Sequence, residues 1–376
     1  MRILLWQEGF SPHVGGIAVA SEALLSDLLR RGHEILVVSR RDLADLPATS
    51  AWRGIPVRRF PFWQVLESRD PGAVAALRRE IVDVERTFAP DVVHMNGFGP
   101  SALFLWRSGR AAASPVLLTL HSSNTLYEAS DTLILRTLGN ARWVVGCSRS
   151  ILEEGRRLVP EITSRSSVVY NGVEQPHIAA APRPPRPSLL CIGHLAREKG
   201  FDIAVRAMPL LLKRFPDLRL VIAGDGPECA PLQRQAAEEG VEAAVRFIGP
   251  IARDRVPHLM NEATVILVPS RRESFSLVAV EAALMQRAVV AARVGGLPEV
   301  VEDGVTGVLV ASESESAWAE AIANLVEDPA ALTRLGEAAR GRASALFAVH
   351  RQGEAYEALY RRVAAEGRGR PSGTVV

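Results

Sequence analysis

The chain has 376 residues, 48% hydrophobic and 23% charged, with a net charge of +2. That length exceeds a single ordinary hydrophobic core, so two domains are expected. The near-balanced charge argues against a nucleic-acid binder, which concentrates basic residues on one face, and no apolar run reaches the roughly 18 residues a transmembrane helix needs.

The opening Met1-Arg2-Ile3-Leu4-Leu5-Trp6 is too short for a signal-peptide core and reads as a buried strand over 2–6. Residues 17–31 read as a helix, with Ile17, Ala20, Leu24 and Leu28 on one face and Gly32 as its stop. A strand over 34–38 follows, and further strands are expected at 91–94, 116–120, 143–147 and 167–170. This alternation implies a parallel sheet covered by helices. Four prolines fall between Pro182 and Pro187, a composition that allows neither helix nor central strand, so 181–187 reads as a stiff linker. The alternation then restarts: strands at 188–192, 218–223, 245–248, 264–268 and 288–292, with helices at 201–214, 228–239, 254–262 and 277–286. Residues 316–363 are helical in pattern. Cys147, Cys191 and Cys229 lie far apart beside apolar runs and read as buried free thiols of a cytoplasmic protein.

The expected fold class is therefore α/β, two Rossmann-like domains with parallel sheets facing an interdomain cleft. Residues 1–180 form the N-terminal domain, 181–187 the linker and 188–345 the C-terminal domain. A last helix over 346–364 carries Tyr356, Leu359, Tyr360 and Val363 on one face, and a disordered tail covers 365–376. Ligands of open parallel sheets bind at the carboxyl ends of strands, so the strand-to-helix loops are the places to search.

The most informative loop is Pro269-Ser270-Arg271-Arg272-Glu273-Ser274-Phe275-Ser276-Leu277, with Glu281 about one turn into the following helix. Glu281 is flanked by Val278, Val280, Ala282 and Ala283, where a carboxylate needs partners. A vicinal diol is one, since a carboxylate accepts two parallel hydrogen bonds. The amides of Phe275, Ser276 and Leu277 open a helix and offer positive dipole to phosphate. The arrangement suits a nucleotide sugar: sugar hydroxyls at Glu273, diphosphate at the helix start, ribose at Glu281. An ion pair and an N-terminal charge would account for the two glutamates equally well. Other loops agree. Lys199 precedes Gly200 at a helix start, where a mobile cation can reach a diphosphate. Gly224-Asp225-Gly226-Pro227 and Gly295-Gly296-Leu297-Pro298 are glycine turns after strands. Gly15-Gly16 ends the first loop without forming a Gly-x-Gly-x-x-Gly fingerprint, which argues against a dinucleotide cofactor. His94 and His121 both follow apolar strand runs; each is as readily structural as functional.

Taken together these segments resemble retaining glycosyltransferase family 4, whose architecture is GT-B. The matching pieces are Glu273-x7-Glu281, the loop Gly193 to Gly200, Gly224 to Pro227, Val294 to Val301 and Glu302 to Gly307. In the first half they are Pro12 to Gly16, Arg31 to Glu34, Pro90 to His94 and Tyr170 to Val173. The resemblance implies transfer of a sugar from a nucleotide diphosphate sugar to an acceptor hydroxyl, in glycan, polysaccharide or glycolipid synthesis. It implies retention at the anomeric carbon, with no cofactor and no metal. Its catalytic residues would be Lys199, Glu273 and His121, with His121 near the anomeric centre. Donor contacts would come from Gly16, His194, Arg197, Lys199, Glu273, Ser274, Phe275, Ser276, Leu277 and Glu281, and the acceptor side from Gly15, Gly16, His94 and His121. The C-terminal helix would return to the N-terminal domain.

Four positions depart from the family's pattern. His194 stands where arginine usually helps hold the diphosphate, so that task falls to Lys199 or Arg197. Ser274 and Ser276 stand at glycine positions, and Ser276 would either cap its helix or be strained. Gln286-Arg287-Ala288 replaces Gly-x-Pro, and His94-Met95-Asn96 replaces His-x-His. Two other readings keep the same fold: a nucleotide-sugar 2-epimerase, and a sugar-nucleotide-binding subunit without transfer activity. The partners expected are a nucleotide-sugar donor and an acceptor of unstated class. Arg58-Arg59, Arg78-Arg79 and Phe60-Pro61-Phe62-Trp63 would suit a membrane interface, but Asp70, Glu80, Asp83 and Glu85 offset the charge, so at most weak peripheral association is expected.

Overall fold

The computed structural model describes residues 1–13, 15–41, 46–107, 114–122, 132–311 and 313–367. Most of the expected disordered tail, from 368 onward, lies outside them. The chain divides into two compact units, one made of Met1–Gly172 with Val349–Val376 and one of Val173–Ala348.

The first unit holds an eight-stranded sheet: β1 (Arg2–Trp6), β2 (Glu34–Arg40), β3 (Thr49–Trp52), β4 (Ile55–Phe60), β5 (Val92–Asn96), β6 (Val116–Leu120), β7 (Trp143–Gly146) and β8 (Ser166–Val168). Their order is β3-β4-β2-β1-β5-β6-β7-β8, parallel throughout except the β3–β4 hairpin. That hairpin has no counterpart in the sequence reading. β3 is four residues long and alternates exposed with half-buried positions, so it offers no apolar run. Strand order reverses between β1 and β5, which makes their carboxyl ends the switch point where ligands are expected.

Helix Gly16–Arg30 lays Ala20, Leu24 and Leu28 on β1 and β2 and stops before Gly32, which takes φ +80°. Helix Val349–Gly367 completes this core. Its Tyr356, Tyr360 and Val363 are at most 1% exposed and pack with Ile3, Leu5, Leu24 and Val37. Gly353 allows the close approach of the two helices, because a Cβ there would lie 1.9 Å from Asp27 Oδ2. Arg31 then ties Asp27 (2.6 Å) to Glu357 (3.3 Å).

The second unit holds β9 (Ser188–Ile192), β10 (Arg219–Ala223), β11 (Val245–Gly249), β12 (Val265–Val268), β13 (Ala288–Ala292) and β14 (Val308–Val310), all parallel, in the order β11-β10-β9-β12-β13-β14. Read from β9, that is the 3-2-1-4-5-6 order of a dinucleotide-type fold, with its switch point between β9 and β12.

The chain passes between units at Gly172/Val173 and Ala348/Val349, earlier than the expected boundary at 180. The two passages are neighbours: Val173 N–H donates to Phe347 O at 2.8 Å, and a Cβ on Gly172 would lie 2.5 Å from Val349 Cα. The proline-rich stretch belongs wholly to the second unit. Arg287, 2% exposed, donates to Ala181 O (2.8 Å) and Met260 O (2.9 Å), and Arg183 reaches Thr333 Oγ1 at 2.7 Å. Prolines donate nothing to a ladder, so this segment is fastened by single bonds, Ala181 O accepting from the Arg287 side chain and Pro187 O from Arg219 N–H.

The aromatic–basic segment turns inward. Phe60 and Phe62 are buried, and Arg59, 5% exposed, donates to Ser50 Oγ and Ser11 O at 2.6 Å each. Arg58 and Trp63 are exposed, so only part of this segment faces solvent. Among the described residues no helix is long and apolar enough to cross a membrane.

Candidate functional site

In the second unit, the loops leaving β9, β10, β12 and β13 are seated on one another through glycines. A Cβ on Gly200 would lie 1.9 Å from Pro269 O, on Gly224 1.8 Å from Gly193 O, on Gly295 2.0 Å from Glu273 O and on Gly296 2.1 Å from Ser274 O. Gly200, Gly224 and Gly295 also take positive φ. A side chain at any of them would lift one loop off the next.

This stacking brings together residues 74 positions apart. Lys199, in the short 3-10 turn Arg197–Lys199, sets Nζ 2.8 Å from Glu273 Oε2, and Ser270 Oγ donates to the same oxygen at 3.3 Å. Beneath them Arg271 holds both oxygens of Asp202 at 2.7 and 2.8 Å and donates to Arg197 O at 3.0 Å. Burial opposes the Asp202 charge, but Arg271 and Arg206 outweigh it and hold the carboxyl below its usual range. Nothing in the sequence pointed to Arg271 and Asp202 as the fastening of the two loops.

Helix Leu277–Leu284 starts beside Glu273. Ser276 is both cap and strained residue: Oγ accepts from Ala279 N–H at 3.3 Å while the backbone sits at φ +84°. The side chain of Phe275 is buried and meets Phe347 edge-on at 5.4 Å, so it belongs to the core of the second unit. Ser274 and Leu277 are half-buried, and His194 and Arg197 are exposed. Glu281 is half-buried, and desolvation pushes its carboxyl up to about 7 against the opposing charge of Arg253. Gln286 takes φ +55° at the family's usual glycine position.

In the first unit a cavity of about 330 Å³ opens at the β1/β5 switch point. Gly15 and Gly16 line it, and a Cβ on either would meet nothing within 4 Å. Its floor is a hydrogen-bonded chain. Asn96 Nδ2 donates to Gln7 Oε1 (2.8 Å) and Ser21 Oγ (2.7 Å), and Asn96 Oδ1 meets His121 Nε2 at 2.7 Å. Since Oδ1 only accepts, the proton sits on Nε2. Burial lowers His121 to about 4, so it is neutral at physiological pH. Glu8, Arg40 and His13, the last from the Pro12 to Gly16 segment, also line the cavity, and no local sequence signal marks Glu8 or Arg40.

His94 does not reach this cavity. It is fully buried, with Nε2 2.8 Å from Thr119 Oγ1 and Nδ1 2.7 Å from Tyr360 OH, and burial first, then His121, lowers it to about 3. It lies mid-strand under the C-terminal helix, whereas His121 lies one residue past the end of β6. The acceptor-side expectation for His94 is therefore corrected: it is a core histidine.

A family model described as Glycosyl transferases group 1 matches residues 176–342, and one described as Glycosyltransferase Family 4 matches residues 14–175. The chain is similar to a D-inositol 3-phosphate glycosyltransferase of Mycolicibacterium paratuberculosis, 32% identical over 94% of this chain and 86% of the relative. It is also similar to a glycogen synthase of Mycobacterium tuberculosis, 29% identical over 92% and 91% respectively. Among solved structures, Anabaena Alr3699/HepE in complex with UDP-glucose matches with a TM-score of 0.78 at 22% identity, covering 96% of this chain and all of that one.

Proposed function

The chain belongs to glycosyltransferase family 4 and is a glycosyltransferase of GT-B architecture, and on that premise we propose that it transfers a sugar with retention and without a metal. The donor is a nucleotide diphosphate sugar held by the second unit, and the acceptor hydroxyl is received by the cavity of the first. The observation that carries this reading is the Lys199–Glu273 pair beside an open helix start, at the carboxyl ends of the two switch-point strands.

Each residue then has a defined task. Lys199 and the amides of Phe275 to Leu277 hold the diphosphate, with Arg197 and His194 at its exposed side. Glu273 accepts hydrogen bonds from the sugar hydroxyls, and Glu281 from the ribose diol. His121 and Gly16 line the first unit's cavity on the acceptor side, and the reacting atom of the donor is the anomeric carbon of its sugar. The bond from that carbon to the diphosphate oxygen breaks, and the bond to the acceptor oxygen forms on the same face. The acceptor proton passes to the leaving diphosphate. Lys199 supplies the charge that stabilises this leaving group, so catalysis is positioning and electrostatics.

A thermal-shift series with UDP, GDP and ADP tests the proposal, since a ligand at 100 times its Kd stabilises by about 2.7 kcal/mol. One of the three should raise the unfolding temperature well above the others. Lys199→Ala should remove the part of that shift contributed by the diphosphate while keeping the part the nucleoside alone gives. No shift with any nucleotide would sink the proposal. The relative solved with UDP-glucose makes UDP the first candidate.

A further inference from the structure

The first unit's cavity contains a feature the proposed mechanism leaves unused. Glu8 projects its carboxyl into the cavity wall from the end of β1, and the surrounding chain is shaped to hold it there. Oε1 accepts from Ser101 N–H at 2.8 Å, and the Trp63 side chain also hydrogen-bonds the carboxyl. Gly99 lies against it so closely that a Cβ would sit 2.0 Å from Oε1. Burial raises this carboxyl above its ordinary range, and the Ser101 and Trp63 hydrogen bonds with the Arg40 charge oppose that shift.

The rest of the lining points to a use for that carboxyl. Arg40 faces the same cavity, and its charge acts on Glu8, so the two formal charges offset each other. His121 is neutral. Gln7 and Asn96 contribute uncharged amides, and Phe98 an apolar ring wall. A fixed carboxylate, amides and an aromatic wall suit hydroxyls on one face of a ring and C–H groups on the other. At about 330 Å³ the volume lies at the small end of ligand pockets, which run from ~300 to ~1,000 Å³.

Resting on the proposed transferase reading, we infer that the acceptor is a neutral single-ring polyol, a sugar or cyclitol, and that Glu8 selects it by accepting hydrogen bonds from two neighbouring hydroxyls. A phosphorylated ring would bring an anion against Glu8, and an amino ring would bring a second cation beside Arg40.

The test uses the full chain with UDP-, GDP- and ADP-glucose as donors. Acceptors are glucose and myo-inositol, their phosphates, and glucosamine. Transfer should favour the neutral rings. Glu8→Gln keeps an oxygen for Ser101 N–H but loses the charge, so it should raise the acceptor KM about 10- to 100-fold, the range for a hydrogen bond to a charged group. The nucleotide Kd and the unfolding temperature should stay near the parent's, which a purely structural role for Glu8 would not predict. Gly99→Ala, which displaces the carboxyl without removing it, should raise the acceptor KM in the same direction. Preference for the charged acceptors, or nucleotide binding with no transfer to any neutral ring, overturns the inference while the transferase reading stands. An unchanged acceptor KM in Glu8→Gln does the same. Failure to bind any nucleotide sinks both.

Discussion

The role proposed for Glu281 sets stability against function at a single residue. Its folded carboxyl is raised to about 7 from the ordinary 4.5, so the folded protein binds the extra proton between those values. Its stabilising contribution is therefore present at low pH and is lost as pH rises through 7. The task proposed for Glu281, holding a ribose diol, requires the opposite state, the carboxylate. Nucleotide affinity should thus rise with pH up to about 7 and then level off. Glu281→Gln should flatten that rise and weaken binding by roughly 1.5–3 kcal/mol, while raising the unfolding temperature of the free protein at pH 8. Calorimetry and melting across pH 5.5–8 check both signs, and a mutant that lost stability at pH 8 would rule this account out. Ser276 carries a related compromise. Positive-φ backbone strain of roughly 1–2 kcal/mol is partly offset by its cap on helix Leu277–Leu284, worth about 1 kcal/mol.

At the scale of elements, the proposed donor site depends on glycines that let one loop rest on the carbonyl of the next. Gly295 and Gly304 separate the two reasons for a glycine. Both take positive φ, but only Gly295 has a carbonyl where its Cβ would stand. Gly304→Ala should lose roughly 1–2 kcal/mol of stability from left-handed strain and keep its nucleotide affinity. Gly295→Ala should lose an additional 1–3 kcal/mol from overpacking and weaken nucleotide binding by displacing Glu273. Equal behaviour of the two variants, in melting and in calorimetry, would count against the stacked-loop account. These glycines were legible in the sequence as turns after strands, because Gly after an apolar run is a local signal. What they touch was not, because the partner carbonyls lie in other loops. The Arg271–Asp202 fastening was hidden for the same reason. The two histidines illustrate the limit further: each ends an apolar run, yet β5 continues past His94 under the covering helix while β6 stops before His121.

For the whole molecule, the alternation of strands and helices made both sheets legible, whereas the short hairpin β3–β4 and the points of passage between units were not. The proline run looked like a linker by composition, yet Arg287 and Asn261 bind it into the second unit, an interaction only packing reveals. The first unit is built from two separated stretches of chain, with the second unit inserted between them. A chain ending at Ala348 should therefore keep nucleotide protection in 173–348 but lose the first unit, because Tyr356, Tyr360 and Val363 leave its core. Each buried side chain of that size is worth about 1.5–3 kcal/mol, against a stability of ~5–15 kcal/mol for a typical domain. Hydrogen exchange read segment by segment would show it, and a truncated chain with β1 and β2 still protected would contradict it. The same arrangement sets an order on the ribosome. The strands of the first sheet emerge early, but the helix whose Tyr360 and Tyr356 bond to His94 of β5 and Thr119 of β6 is translated only after the entire second unit. At about 5–20 residues per second, the nascent first sheet waits on the order of ten seconds or more with one apolar face uncovered. The unit whose synthesis begins first is thus the last to close, and that interval is when a nascent-chain chaperone has most to shield.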